Sequence, residues 1–214
     1  MPYRLAVVDE LLAGHGRFRS DLGAEEREFL AGLAANGQRP TAVFIGCSDS
    51  RVIPEQLTDS GPGQLFVVRN VANHVPGLAE PDRSVSAAIE YAVGELGVAD
   101  IIVCGHDGCG GIKAALSDLA GLDPDSDLGS WLADVRPAVA AARASGLDPD
   151  ACLARAVEDN VLHGLATLSA GWIDPTTVDG SIRLHGWVFD VGGATLRVYD
   201  PGQGRFVPAT ELAG

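Results

Sequence analysis

The sequence predicts an α/β fold: an open, mostly parallel β-sheet of about four parallel strands plus an antiparallel edge strand, flanked by helices and preceded by an N-terminal helical arm. Three observations carry that expectation. Residues 41–46 (TAVFIG), 64–69 (QLFVVR) and 100–104 (DIIVC) are nearly continuous apolar runs, the pattern of strands buried on both faces of a parallel sheet. Helical patterns alternate with the β-rich runs. Two late β-rich runs, 181–191 and 195–199, meet at Gly192-Gly193, a hairpin signal.

Taken in order, the stretch before Thr41 reads as helical and offers no strand. Within it, residues 25–35 place Phe29, Leu30 and Leu33 on one side. Residues 84–96 set Val85, Ala88, Ile89, Ala92, Val93 and Leu96 at helical spacing. A helix over 112–120 follows a double glycine. Asp148-Pro149 is a helix start, an acid at the N-cap and proline at the first helical position, leading to about Ser169. With no composition shift, long linker or repeat, residues 1–214 read as one domain, with an arm over 1–37 and an α/β core over 38–214.

The 214 residues carry 15 basic and 29 acidic side chains, a net charge of −14. Lys113 is the sole lysine, and the arginines are scattered. Such a surface repels nucleic acid and anionic membrane, so neither is expected as a partner. Hydrophobic residues make up 46%, which excludes a disordered chain. No apolar run approaches the roughly 20 residues that span a bilayer, and the first residues lack signal-peptide features, so a cytoplasmic location is expected.

Four cysteines in such a chain point to buried thiols, metal ligands or nucleophiles rather than a disulfide scaffold. Cys104 lies inside an apolar run and Cys152 near a helix start, and both read as small hydrophobes. Cys47 opens CSDSR directly after the first strand. His106 and Cys109 lie in GHDGCGG directly after the third. If those strands are neighbours, the two segments meet in one crevice at the carboxyl ends of the sheet. The H-x-x-C spacing lets one turn offer an imidazole and a thiolate to a single ion, and Cys47 could be the third ligand. Two cysteines and a histidine form a catalytic type of zinc set, with its fourth position left to water or substrate. Asp49 could fill that position or hydrogen-bond the water there. Arg51 can clamp Asp49 in a bidentate pair and so keep it off the metal. His15, His74, His163 and His185 lack partner motifs and read as structural or surface residues. Gly110-Gly111 matches neither G-x-G-x-x-G nor a Walker sequence, which argues against a nucleotide site.

With CSDSRV (47–52), FVVRNVAN (66–73), AAIEYAV (87–93), GHDGCGG (105–111) and LHGWVFDV (184–191) in this order, the chain resembles the β-class carbonic anhydrases from about residue 11 to 199. The resemblance implies Zn2+, one per chain, on Cys47, His106 and Cys109, with Asp49 and Arg51 as a catalytic dyad and Asp49 a fourth ligand only in a closed state. It implies a substrate pocket formed by Gln38, Phe66, Val71, Tyr91 and the Gly110 backbone N–H. That pocket would lie at a subunit interface, making the protein a homodimer or a dimer of dimers. One subgroup of the family is regulated by bicarbonate through a Trp, an Arg and a late Tyr. Phe44, Arg69 and Phe189 stand at those positions, so only the arginine is kept, although Gly46 and Val52 do resemble the regulated subgroup.

The implied activity is reversible hydration of CO2 to bicarbonate and a proton through a zinc-bound hydroxide, making the chain a carbonate dehydratase. Two thiolates neutralise the ion's formal charge, so activity should rise into the alkaline range. Two alternatives use the same fold. One is a noncatalytic zinc-binding regulatory protein, which has no need of Asp49, Arg51 or Gln38. The other is hydrolysis of a CO2 analogue such as carbon disulfide or carbonyl sulfide. A thiol redox protein is disfavoured by the lack of C-x-x-C.

Overall fold

A computed structural model describes residues 3–77, 83–117, 121–172 and 182–212. The chain divides into two compact units, Met1–Gln38 and Arg39–Gly214.

The first unit is a pair of helices, α1 (Tyr3–Asp21) and α2 (Ala24–Asn36). Their turn is closed by Glu26, whose Oε2 accepts the Gly23 N–H at 2.7 Å. The Arg27 side chain also donates to the carbonyls of Leu22 and Arg19 at 3.1 and 2.7 Å. No residue of α2 is buried, and Val7, Leu11, Leu12, Phe18 and Phe29 stand exposed.

The second unit contains β1 (Ala42–Cys47), the short helix α3 (Pro54–Leu57), β2 (Leu65–Asn70), α4 (Arg83–Glu90) running into a π-helical turn over Tyr91–Glu95, and β3 (Asp100–His106). Next come α5 (Gly110–Leu116), α6 (Asp127–Ala144), α7 (Pro149–Thr167), β4 (Arg183–Asp190), β5 (Thr195–Asp200) and β6 (Arg205–Pro208). The sheet order is β2-β1-β3-β4-β5-β6. The first four strands are parallel, and β5 and β6 pair antiparallel. After β2 the chain crosses to the other side of β1, so the order reverses between β1 and β3. The ligand crevice of such a sheet lies at that reversal, at the strands' carboxyl ends.

β1 is buried along its whole length, as its uninterrupted apolar run requires. Val43, Ile45, Ile101, Val103 and Val188 belong to one core with Val157 and Val161 of α7, Ile112 of α5 and Ile89 of α4. Ala42, Phe44, Ile102 and Cys104 form a second cluster, backed by Trp187 and Phe189. α7 lies very close to the sheet: a Cβ on Gly105 would stand 2.9 Å from Val157 and 3.0 Å from Val161.

The sheet has one antiparallel strand more than the sequence predicted. β6 is four residues long and ends in Pro208, too short to show an alternating pattern. α6 was also not predicted. The approach to it is acidic, and Pro137 sits in its interior. Nevertheless Leu132, Val135, Val139 and Ala142 bury one stripe, and Ser126 caps the start by accepting the Gly129 N–H at 3.0 Å. The helix expected over 112–120 runs instead from Gly110 to Leu116, and residues 118–120 lie outside the described residues. Asp148 caps α7 as expected, accepting the N–H groups of Asp150 and Ala151. The late hairpin is present too. Asp190 accepts the N–H groups of Gly192 and Gly193 in its turn.

Candidate metal centre and active site

Strand register assembles the centre. β1 and β3 pair with Gly46 opposite Cys104, which brings the last residues of the two strands within one position of the same level. Cys47 ends β1, His106 ends β3, and Cys109 is the N-cap residue of α5 after a turn at Gly108, whose φ of 71° suits a residue without Cβ. One ligand atom from each of Cys47, His106 and Cys109 lies within 4.8 Å of the others. The two sulfurs are 3.9 Å apart. Tetrahedral zinc with bonds of about 2.3 Å would place two thiolates about 3.8 Å apart, so the spacing fits.

Burial of the three groups is nearly complete, with Cys47 5% exposed and His106 and Cys109 fully enclosed. The His106 Nδ1 lies 3.1 Å from the Asp107 carbonyl oxygen. A carbonyl only accepts, so Nδ1 carries the proton and Nε2 presents a lone pair. That Nε2 is buried and has no hydrogen-bond partner. An orphaned imidazole nitrogen facing two thiols is costly unless a cation covers it.

Electrostatics favour a thiolate here. The Cys47 thiol is held well below its ordinary range, first by the hydrogen bond from Cys109 and against the effect of burial. The backbone N–H groups of Asp49 and Ala72 act in the same direction. Cys109, as the donor of that pair, is pushed up, and burial pushes it further. A divalent cation would let both sulfurs ionise. Cys104 behaves differently: burial pushes its thiol up to about 12, and it belongs to the core cluster around Phe44. Cys152 contacts the Ala142 carbonyl. Neither joins the centre, as the sequence predicted.

Asp49 and Arg51 form the expected clamp. Arg51 Nε reaches Asp49 Oδ1 at 2.9 Å, Nη2 reaches Oδ2 at 2.7 Å, and the Arg51 backbone N–H reaches Oδ1 at 3.0 Å. These bonds hold the Asp49 carboxyl far below the usual carboxylate range. Oδ2 stands 3.9 Å from His106 Nε2, beside the ligand cluster and turned toward arginine.

The remaining predicted residues take several places. Phe66 and Tyr91 meet with ring centroids 6.1 Å apart. Tyr91 and Val71 are 49% and 37% exposed. Val71 follows Asn70, the β2 residue paired with Cys47, and Gly110 follows Cys109 at the start of α5. Gln38 is exposed and closes the first unit. Phe44 and Phe189 lie in the second core cluster, where Phe44 meets Trp187 edge-on at 6.2 Å. Arg69 donates to the carbonyls of Cys47 and Asp49 at 2.9 and 2.6 Å, tying the end of β1 to the loop that carries Asp49.

Sequence reasoning missed the residues that brace the Val71–Asn73 turn. Ala72 and Asn73 both have positive φ, 66° and 44°. Asn160 of α7 donates to the Ala72 carbonyl at 2.9 Å, and Trp131 of α6 donates to the Val71 carbonyl at 2.8 Å. Asn70 bonds both the backbone N–H and the carbonyl of His74, whose ring meets Trp131 edge-on. One signal was available: Asn160 interrupts the apolar stripe Ala156, Val157, Val161, Gly164.

The carbonic anhydrase family model matches residues 42–196, which includes Cys47, Asp49, Arg51, His106 and Cys109. The chain belongs to the carbonic anhydrases, and its structural likeness places it in the β class, a family of carbonate dehydratases. It is 39% identical over 204 residues to the carbonic anhydrase of Pseudomonas aeruginosa, covering 94% of this chain and 92% of that one. The β-carbonic anhydrase CcaA superposes with a TM-score of 0.85 at 31% identity, over 95% of this chain and 92% of that one. Tetrameric β-carbonic anhydrases from Sordaria macrospora superpose at 0.70 with 29% identity, over 92% of this chain and 95% of that one.

Proposed function

We propose that the chain binds one Zn2+ through Cys47, His106 and Cys109 and catalyses the reversible hydration of CO2 to bicarbonate and a proton. The observation that carries this is the buried, unpartnered Nε2 of His106 facing two sulfurs 3.9 Å apart, with an arginine-clamped carboxylate at its edge. Cys47, His106 and Cys109 would hold the zinc, which would supply an acidified water, less acidic than on three imidazoles because two thiolates offset the ion's charge.

The chain's own residues do the rest. Asp49 stays ionised and, with Arg51 occupying both its oxygens, accepts a hydrogen bond from the attacking oxygen instead of ligating the metal. This fixes the direction of a lone pair. Phe66, Val71 and Tyr91 offer an apolar wall suited to a small uncharged substrate. The Gly110 N–H and the Gln38 amide are the donors for the oxygens that gain charge as bicarbonate forms. Residues 1–214 act as one functional unit. The bare apolar residues of α1, together with tetramers in the family, support a homodimer or a dimer of dimers. No described helix is long and apolar enough to cross a membrane, and a cytoplasmic location is part of the proposal.

Metal removal tests the reading. Dialysis against a strong chelator abolishes CO2 hydration, and one equivalent of Zn2+ restores it while Mg2+ does not. Hydration persisting in protein shown to be free of zinc would refute it.

A further inference from the structure

Beyond the ligands and the dyad, an ion-pair chain runs from α7 through β5 into the turn that carries the ligand histidine. Arg197, on β5 opposite Val188, donates through Nη2 to Asp107 Oδ1 at 3.0 Å and through Nη1 to Glu158 of α7. All three side chains are partly buried, between 25% and 35% exposed. Asp107 is therefore held at two points. Its carboxylate is fixed by Arg197, and its backbone N–H donates to the Phe189 carbonyl at 2.9 Å. With both ends held, its carbonyl is aimed at His106 Nδ1. The same carbonyl sets the tautomer and the ring plane of the imidazole, and the following Gly108 turn delivers Cys109.

We propose that Arg197 is a positioning residue for the metal centre: through the Asp107 carbonyl it orients His106 so that Nε2 meets the two sulfurs. This rests on the zinc-centre reading above. Groups that orient a ligand histidine typically change metal affinity 10- to 100-fold when lost. The two-sided grip of Arg197, anchored to a long helix, is suited to that task, because a planar guanidinium fixes direction as well as distance.

The test is zinc release from the purified holoenzyme to a chromophoric chelator, read as a rate. R197M removes the charge and keeps the stem, and it should release zinc about 10-fold faster. R197K should recover part of the difference. D107A should match R197M, and the double variant should be no faster than either single one, since both break one relay. D100N breaks the ion pairs of Asp100 with Arg183 and His185 at the other end of β3, and it should release zinc like the wild type.

Wild-type release from R197M overturns the proposal, and so does a double variant whose effects multiply. If R197M fails to fold, D107A carries the same expectation, and wild-type release from it is the same refutation. A wild-type enzyme purified without zinc would overturn the reading of the centre itself. Zinc-replete wild type with unaffected R197M would overturn only the role of Arg197.

Discussion

Cys47, Asp49 and Arg51 lie within five consecutive positions, yet they do three different jobs because the chain leaves the sheet between them. Cys47 is still in β1, enclosed and aimed at Cys109. Asp49 is in the loop that follows, and Arg51 reaches back over it with both arms of its guanidinium. The clamp has a direct consequence. R51A leaves the three metal ligands untouched and frees Asp49 to turn toward the cluster 3.9 Å away. Zinc content measured by atomic emission should therefore stay at one per chain while CO2 hydration falls about 100-fold, the scale on which a misplaced reacting group acts. Wild-type turnover in R51A would show that the clamp is not needed.

At the scale of elements, α6 and α7 do more than cover the sheet. Each sends one polar side chain to a carbonyl of the turn that follows β2, where two residues other than glycine hold left-handed conformations. Such a turn persists only when its surroundings over-determine it. Asn160 is 3% exposed and its bond to Ala72 lies in the core. N160A should lower stability by about 1–3 kcal/mol, because it strands a buried carbonyl. Chemical denaturation of the zinc-loaded protein measures this, and an unchanged midpoint at unchanged slope would contradict it.

For the whole molecule, β1, β3 and the candidate ligands were legible because each of these two strands is an apolar run that ends at a candidate ligand, Cys47 or His106. Hydrophobic period and chemistry there coincide in sequence. The parts that were not legible depend on tertiary partners. β6 forms by pairing with β5, and α6 conceals its buried stripe behind an acidic entry and an internal proline. Arg69, Trp131, Asn160 and Arg197 act on residues between 20 and 90 positions away, a relation no local pattern encodes.

The arm raises a question of the same scale. Leu11 and Leu12 are 70% and 63% exposed, a large apolar cost for a free chain. If α1 packs on a second copy, replacing both leucines with aspartate should convert the assembly to monomers in light scattering. A wild-type chain already monomeric, or an unchanged mass in the variant, would refute that packing.

On the proposed reading, a Cys2His zinc centre with a clamped carboxylate hydrates CO2. Stopped-flow hydration on protein of known zinc content, followed from neutral into alkaline pH, tests it most directly. Fast turnover with one zinc per chain, rising with pH, is the predicted result. Full zinc occupancy with no turnover at any pH would contradict it.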